Sequence, residues 1–74
     1  MKNAVVWFIR FVDKDGWFED MVFIVDENIP ARKIYRRMNR YFGTPFNQKI
    51  IRMRKGVSVD KTIEYVFVTS DLHR

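Results

Sequence analysis

Residues 4–12, Ala-Val-Val-Trp-Phe-Ile-Arg-Phe-Val, constrain the fold more than any other stretch of this chain. They are β-branched and aromatic and read as a strand. A strand with one face on a core and one in water alternates apolar and polar residues. This one does not. Val5, Trp7, Ile9 and Phe11 share one face, and Val6, Phe8 and Val12 share the other with only Arg10 among them. Residues 61–69, Lys-Thr-Ile-Glu-Tyr-Val-Phe-Val-Thr, behave alike: Ile63, Tyr65 and Phe67 oppose Val66 and Val68. A sheet of such strands is apolar on both faces, and one helix covers only one. The pattern predicts a second cover: a homodimer partner, another protein, or nucleobases stacked on aromatics. A long loop, the C-terminal tail or a sheet curled on itself would serve the same end.

Lys14-Asp15-Gly16 is a turn signal, and residues 17–25 read as the partner strand. A two-residue turn sets Arg10 across from Met21. A three-residue loop, with Gly16 in the left-handed region, sets Arg10 across from Asp20, Trp7 across from Phe23 and Phe8 across from Val22. Opposite-charge and aromatic cross-strand pairs contribute roughly 0.2–1 kcal/mol each, which favours the second register.

Asn28 reads as a helix N-cap, with Pro30 in the first turn and Asp26 and Glu27 at the positive end of the dipole. Ala31, Ile34, Tyr35, Met38, Tyr41 and Phe42 recur at helical spacing. Gly43 reads as the residue closing the helix, with Pro45 just beyond it. Residues 48–54 read as a third strand ending at a Lys55-Gly56 turn, and 61–69 as a fourth. The expected fold is α+β, in the order ββαββ. It is a four-stranded antiparallel sheet with one helix packed on one face, and short connections favour pairing the first strand with the second and the third with the fourth.

Seventy-four residues make a single domain, and no repeat or linker interrupts them. A chain this small buries only roughly 60% of the surface its unfolded form exposes, so packing or self-association must supply its stability. There is no cysteine, hence no disulfide and no thiolate metal site, and the one histidine, His73, stands next to last. No stretch is long and apolar enough for a membrane span, and the opening residues lack the pattern of a signal peptide. A cytoplasmic location is the expectation.

Charge is segregated along the chain. Between Ala31 and Val59 stand nine basic residues and no acid: Arg32, Lys33, Arg36, Arg37, Arg40, Lys49, Arg52, Arg54 and Lys55. That segment carries +9 and the remainder −4, within an overall +5. Arg32, Arg36 and Arg40 lie one helical turn apart, with Lys33 and Arg37 in a parallel row. Like charges at this spacing repel by about 0.2–0.5 kcal/mol per pair. An amphipathic helix needs a polar face, and arginine is a good helix former, but a mixed-sign face would meet that need without the repulsion. A one-sign face is an electrostatic footprint for an anionic partner. Arginine outnumbers lysine in the segment, which suits bidentate contacts to phosphate or carboxylate.

Catalytic chemistry finds little support. Ser58 and Ser70 have no neighbouring base, there is no glycine-rich phosphate loop, and the acids sit in turns and strand ends. Asp13-Lys14-Asp15-Gly16 has some look of a calcium loop. It lacks the further ligand before the glycine and the carboxylate at the twelfth position, so it reads as a hairpin turn. No cofactor and no metal are expected. The element order differs from the βαββαβ of RRM domains, and no RNP-like aromatic motif is present.

The chain therefore reads as a non-catalytic binding module whose basic helix and strand contact nucleic-acid backbone. The alternative is a protein-binding inhibitor or adaptor of phage or mobile-element type, docking the same residues on an acidic protein surface. A homodimer through the apolar sheet face is compatible with either.

Overall fold

The structure is a computed structural model describing the backbone of residues 2–60 and 66–69 and the side chains of 3–60. It is α+β: a three-stranded antiparallel sheet and one α-helix, in the order β1 (Lys2–Asp13), β2 (Phe18–Asp26), α1 (Ala31–Met38) and β3 (Gln48–Asp60). β1 lies between β3 and β2. This central place leaves β1 without an open edge. Four further residues, β4 (Val66–Thr69), run antiparallel to β2 at its outer edge. Positions 61–65 of the expected fourth strand lie outside the described residues.

The expected pairing of third strand with fourth is not what forms. β3 and β4 lie on opposite edges, and β3 pairs with β1 instead. Because β2 and β3 are both antiparallel to β1, they run parallel to each other, and the helix is the crossover that joins them. That crossover lays α1 over one sheet face. Val5, Trp7, Ile9, Phe11, Met21 and Phe23 meet Ile34 and Met38 there, with Phe42, Ile50 and Met53 packed around them.

The β1–β2 register is the one the charge pair favours: Arg10 opposes Asp20, Trp7 opposes Phe23 and Phe8 opposes Val22. Gly16 takes φ 83°, the left-handed value a three-residue loop requires. Asp13 fixes the loop from within. Its Oδ1 accepts hydrogen bonds from the backbone N–H groups of Asp15 (2.9 Å) and Trp17 (3.0 Å).

Both helix ends differ from the sequence reading. Asn28 does not cap the helix. Its N–H donates to Asp26 Oδ1 at 2.9 Å in a turn before the helix, and Pro30 takes the cap position with no side-chain bond. The first helical turn holds no acid. At the other end the chain widens into a π-turn, Asn39–Gly43, followed by a 3₁₀ turn, Thr44–Phe46. The shift in phase keeps Phe42 against Phe23, ring centroids 5.3 Å apart, and leaves Tyr41 exposed. Gly43 is not the left-handed terminator; Asn47 is, at φ 55°. Gly43 is instead a close approach. A Cβ there would run into the Asn39 carboxamide and come within 3.2 Å of the Gln48 carbonyl.

β3 does not turn at Lys55-Gly56 but continues to Asp60. Its pairing with β1 shifts register three times, between Lys2 and Ala4, where β1 holds the extra residue, and then between Val5 and Trp7 and between Arg10 and Phe11. At the last two, β3 accommodates an extra residue, so the glycine falls in a bulge rather than a turn. Ile51 and Val57 lie at these bulges and are exposed.

Candidate functional site

Ile34 and Met38 are the buried residues of α1 and define the side turned to the sheet. At about 100° per residue, Arg32 and Arg36 fall on the side away from that seam, with Lys33 and Arg37 beside them, and Arg40 follows in the π-turn just beyond the helix. All five are exposed. Arg32 and Lys33 stand in the first turn, where cations oppose the positive end of the helix dipole. Arg36 and Arg37 stand in the last turn, where the dipole favours cations, so like-charge spacing is what sets this face against itself.

The strand cations lie elsewhere. Arg52 opposes Arg10 and Arg54 opposes Phe8, and both β1 residues point to the face that α1 does not cover. Lys49 opposes Val12 and lines a shallow concavity with Lys14 and Asn47. Lys55 opposes the buried Trp7 and is itself exposed. The nine basic residues expected to form one surface running from helix to strand are therefore divided. Five cover the outside of the helix, and Arg52 and Arg54 stand across the sheet from them. Sequence spacing does not reveal this, because it depends on which strand β3 pairs with. Among the described residues, none of the nine has a carboxylate within ion-pair distance.

The uncovered sheet face has a defined construction. The Arg54 guanidinium lies 4.7 Å above the centre of the Phe8 ring. Gly56 makes room for that ring: a Cβ at Gly56 would approach Phe8 Cε2 to 2.7 Å and the Val6 carbonyl to 3.3 Å. Beside this stack, Arg10 is held by Asp20 through Nε to Oδ1 at 2.7 Å and Nη2 to Oδ2 at 2.9 Å. The Arg10 guanidinium also lies 5.0 Å over Phe18. Together Phe8, Arg10, Asp20, Val22, Arg52 and Arg54 border a groove of about 410 Å³. Phe8, Phe18 and Arg10 were not singled out as site residues from sequence. The signal for them was present in the period-two alternation that puts Phe8 and Arg10 on one face.

Asp13, which opens the loop weighed as a calcium motif, already accepts two backbone N–H groups. Among the described residues no three His, Asp or Glu side chains gather as a metal set. Among them also, no helix is long and apolar enough to cross a membrane. Comparison of the chain with protein-family models, with curated proteins and with solved structures gives no significant match.

Proposed function

We propose that this protein is a small non-catalytic module that binds nucleic-acid backbone through the outer face of α1. The sheet beneath is read as four-stranded, with Val66–Thr69 the described part of its fourth member. One observation carries the proposal. Arg32, Lys33, Arg36, Arg37 and Arg40 form an exposed one-sign face with no carboxylate of the described residues in ion-pair reach. The repulsion within the face is relieved when a polyanion docks. Regularly spaced phosphates match rows of cations spaced one helical turn apart, and arginine engages each phosphate with two parallel bonds. Such binding is largely independent of sequence and falls steeply with salt, because each phosphate neutralised releases condensed counterions.

The second reading is an inhibitor or adaptor docking this face on an acidic protein surface, where charge would govern the on-rate more than the affinity. The same helix row favours it. Titration of labelled single- and double-stranded DNA and RNA at low and at physiological salt separates the two. Binding that weakens with salt supports the nucleic-acid reading, and no binding at low salt ends it. A protein partner that survives nuclease treatment of a cell lysate points to the second.

A further inference from the structure

The groove on the uncovered sheet face is on the other side of the sheet from the helix cations, and backbone binding by α1 makes no use of it. We infer that this groove is a stacking platform for an unpaired base of single-stranded nucleic acid. The inference rests on the nucleic-acid reading above and deepens it by naming the strand class.

Three features of the groove point to that occupant. Its volume, about 410 Å³, falls in the roughly 300–1,000 Å³ range of clefts that take small ligands. Its stacking surface is already assembled. Arg54 lies over Phe8, and Gly56 leaves the space in which Phe8 sits. A guanidinium plane backed by an aromatic ring is one of the surfaces on which unstacked bases settle, and its prior ordering lowers the entropic cost of doing so. Its charge favours an anion. Three arginines border it against the single carboxylate of Asp20, whose two oxygens both accept from Arg10. Arg52 is thereby left to reach a flanking phosphate. A duplex keeps its bases stacked away from such a surface, whereas a single strand splays them out.

Charge also argues against the other candidate occupants. A second copy meeting this face across a two-fold axis would appose the same patch to itself, adding three more arginines against one more carboxylate. The face is thus poorly made for a homodimer, although its apolar residues alone would suit one.

The test compares an oligothymidylate, an abasic oligomer of equal length and a duplex by fluorescence anisotropy at fixed low salt. Wild-type protein should bind the oligothymidylate about tenfold or more tighter than the abasic strand, since each stacked base contributes substantially. Phe8→Leu should bring that ratio close to one. Arg54→Gln should lower it too, and serves where Phe8→Leu fails to fold. Arg36→Glu with Arg37→Glu should weaken binding to both strands and leave the ratio in place. Equal affinity for base-bearing and abasic strands would overturn the platform while backbone binding by α1 stands. A concentration-dependent dimer in light scattering that Phe8→Glu dissociates would assign the face to a second copy. Failure to bind any of the three nucleic acids would remove both readings together.

Discussion

Arg10 and Asp20 face each other across β1 and β2 and share two parallel hydrogen bonds, 2.7 and 2.9 Å long, with about a quarter to a third of each side chain exposed. On the other side of β1, Arg10 faces Arg52. Asp20 therefore offsets the repulsion between two arginines as well as fixing the hairpin register. Asp20→Ala should lower stability by about 1–2 kcal/mol, between the values for exposed ion pairs and for charge-assisted hydrogen bonds. The shift in urea midpoint measures it, and Asp20→Asn should recover part of the loss.

Phe11 is fully buried near the C-terminal end of β1, where it belongs to the helix-side core. Phe11→Ala removes a large side chain from a packed site and should cost about 3–5 kcal/mol. A small domain has little more than about 5 kcal/mol to lose. Circular dichroism should find this variant largely unfolded at 37 °C, with the buried Trp7 emitting at longer wavelength.

Gly16 and Gly43 are required for different reasons, and their alanine variants should differ accordingly. At Gly16 the positive φ is strained for any side chain, so Gly16→Ala should cost about 1 kcal/mol. At Gly43 the obstacle is space beside Asn39 and the Gln48 carbonyl, and overpacking there should cost about 1–3 kcal/mol. Gly16→Asn should be nearly neutral because asparagine tolerates the left-handed region. Gly43→Asn should be worse than Gly43→Ala. Thermal melts of the four variants check the contrast.

Gln48 ties the end of the crossover to the sheet. Its Nε2 donates to the Phe42 carbonyl at 2.7 Å and stands 3.4 Å from Glu19 Oε1. Gln48→Leu should cost about 1–2 kcal/mol, through a half-buried carbonyl left without its donor. Amide hydrogen exchange should show the loss concentrated in Asn39–Phe46, with β1 and β2 protected as before.

What the sequence disclosed followed the range of the interactions involved. The hairpin was legible because Asp13, Gly16, Arg10 and Asp20 are close in sequence and their preferences agree. The helix was legible in its middle, where Ile34 and Met38 set the buried seam, but not at its ends. Pro30 stands at the cap position expected of Asn28, whose N–H is taken by Asp26, and the π-turn shifts the phase after Met38. Gly56 was read as a turn because local propensity has no knowledge of Phe8 on the neighbouring strand. The pairing of β3 with β1, more than 30 residues away in sequence, left no local mark. That pairing in turn divides the basic segment between two sides of the molecule. The helix row was evident from spacing alone; the Phe8–Arg54 stack was not.

The most direct test of backbone binding by α1 is the salt dependence of affinity for one duplex, measured for wild-type protein and for Arg36→Glu/Arg37→Glu. Both side chains are exposed, so circular dichroism should report an unchanged fold. The account predicts a linear fall of log affinity with log salt for the wild type, with a slope of about −0.9 per phosphate engaged. For the variant it predicts binding reduced at least a hundredfold at low salt. A folded variant with wild-type affinity and slope would contradict it.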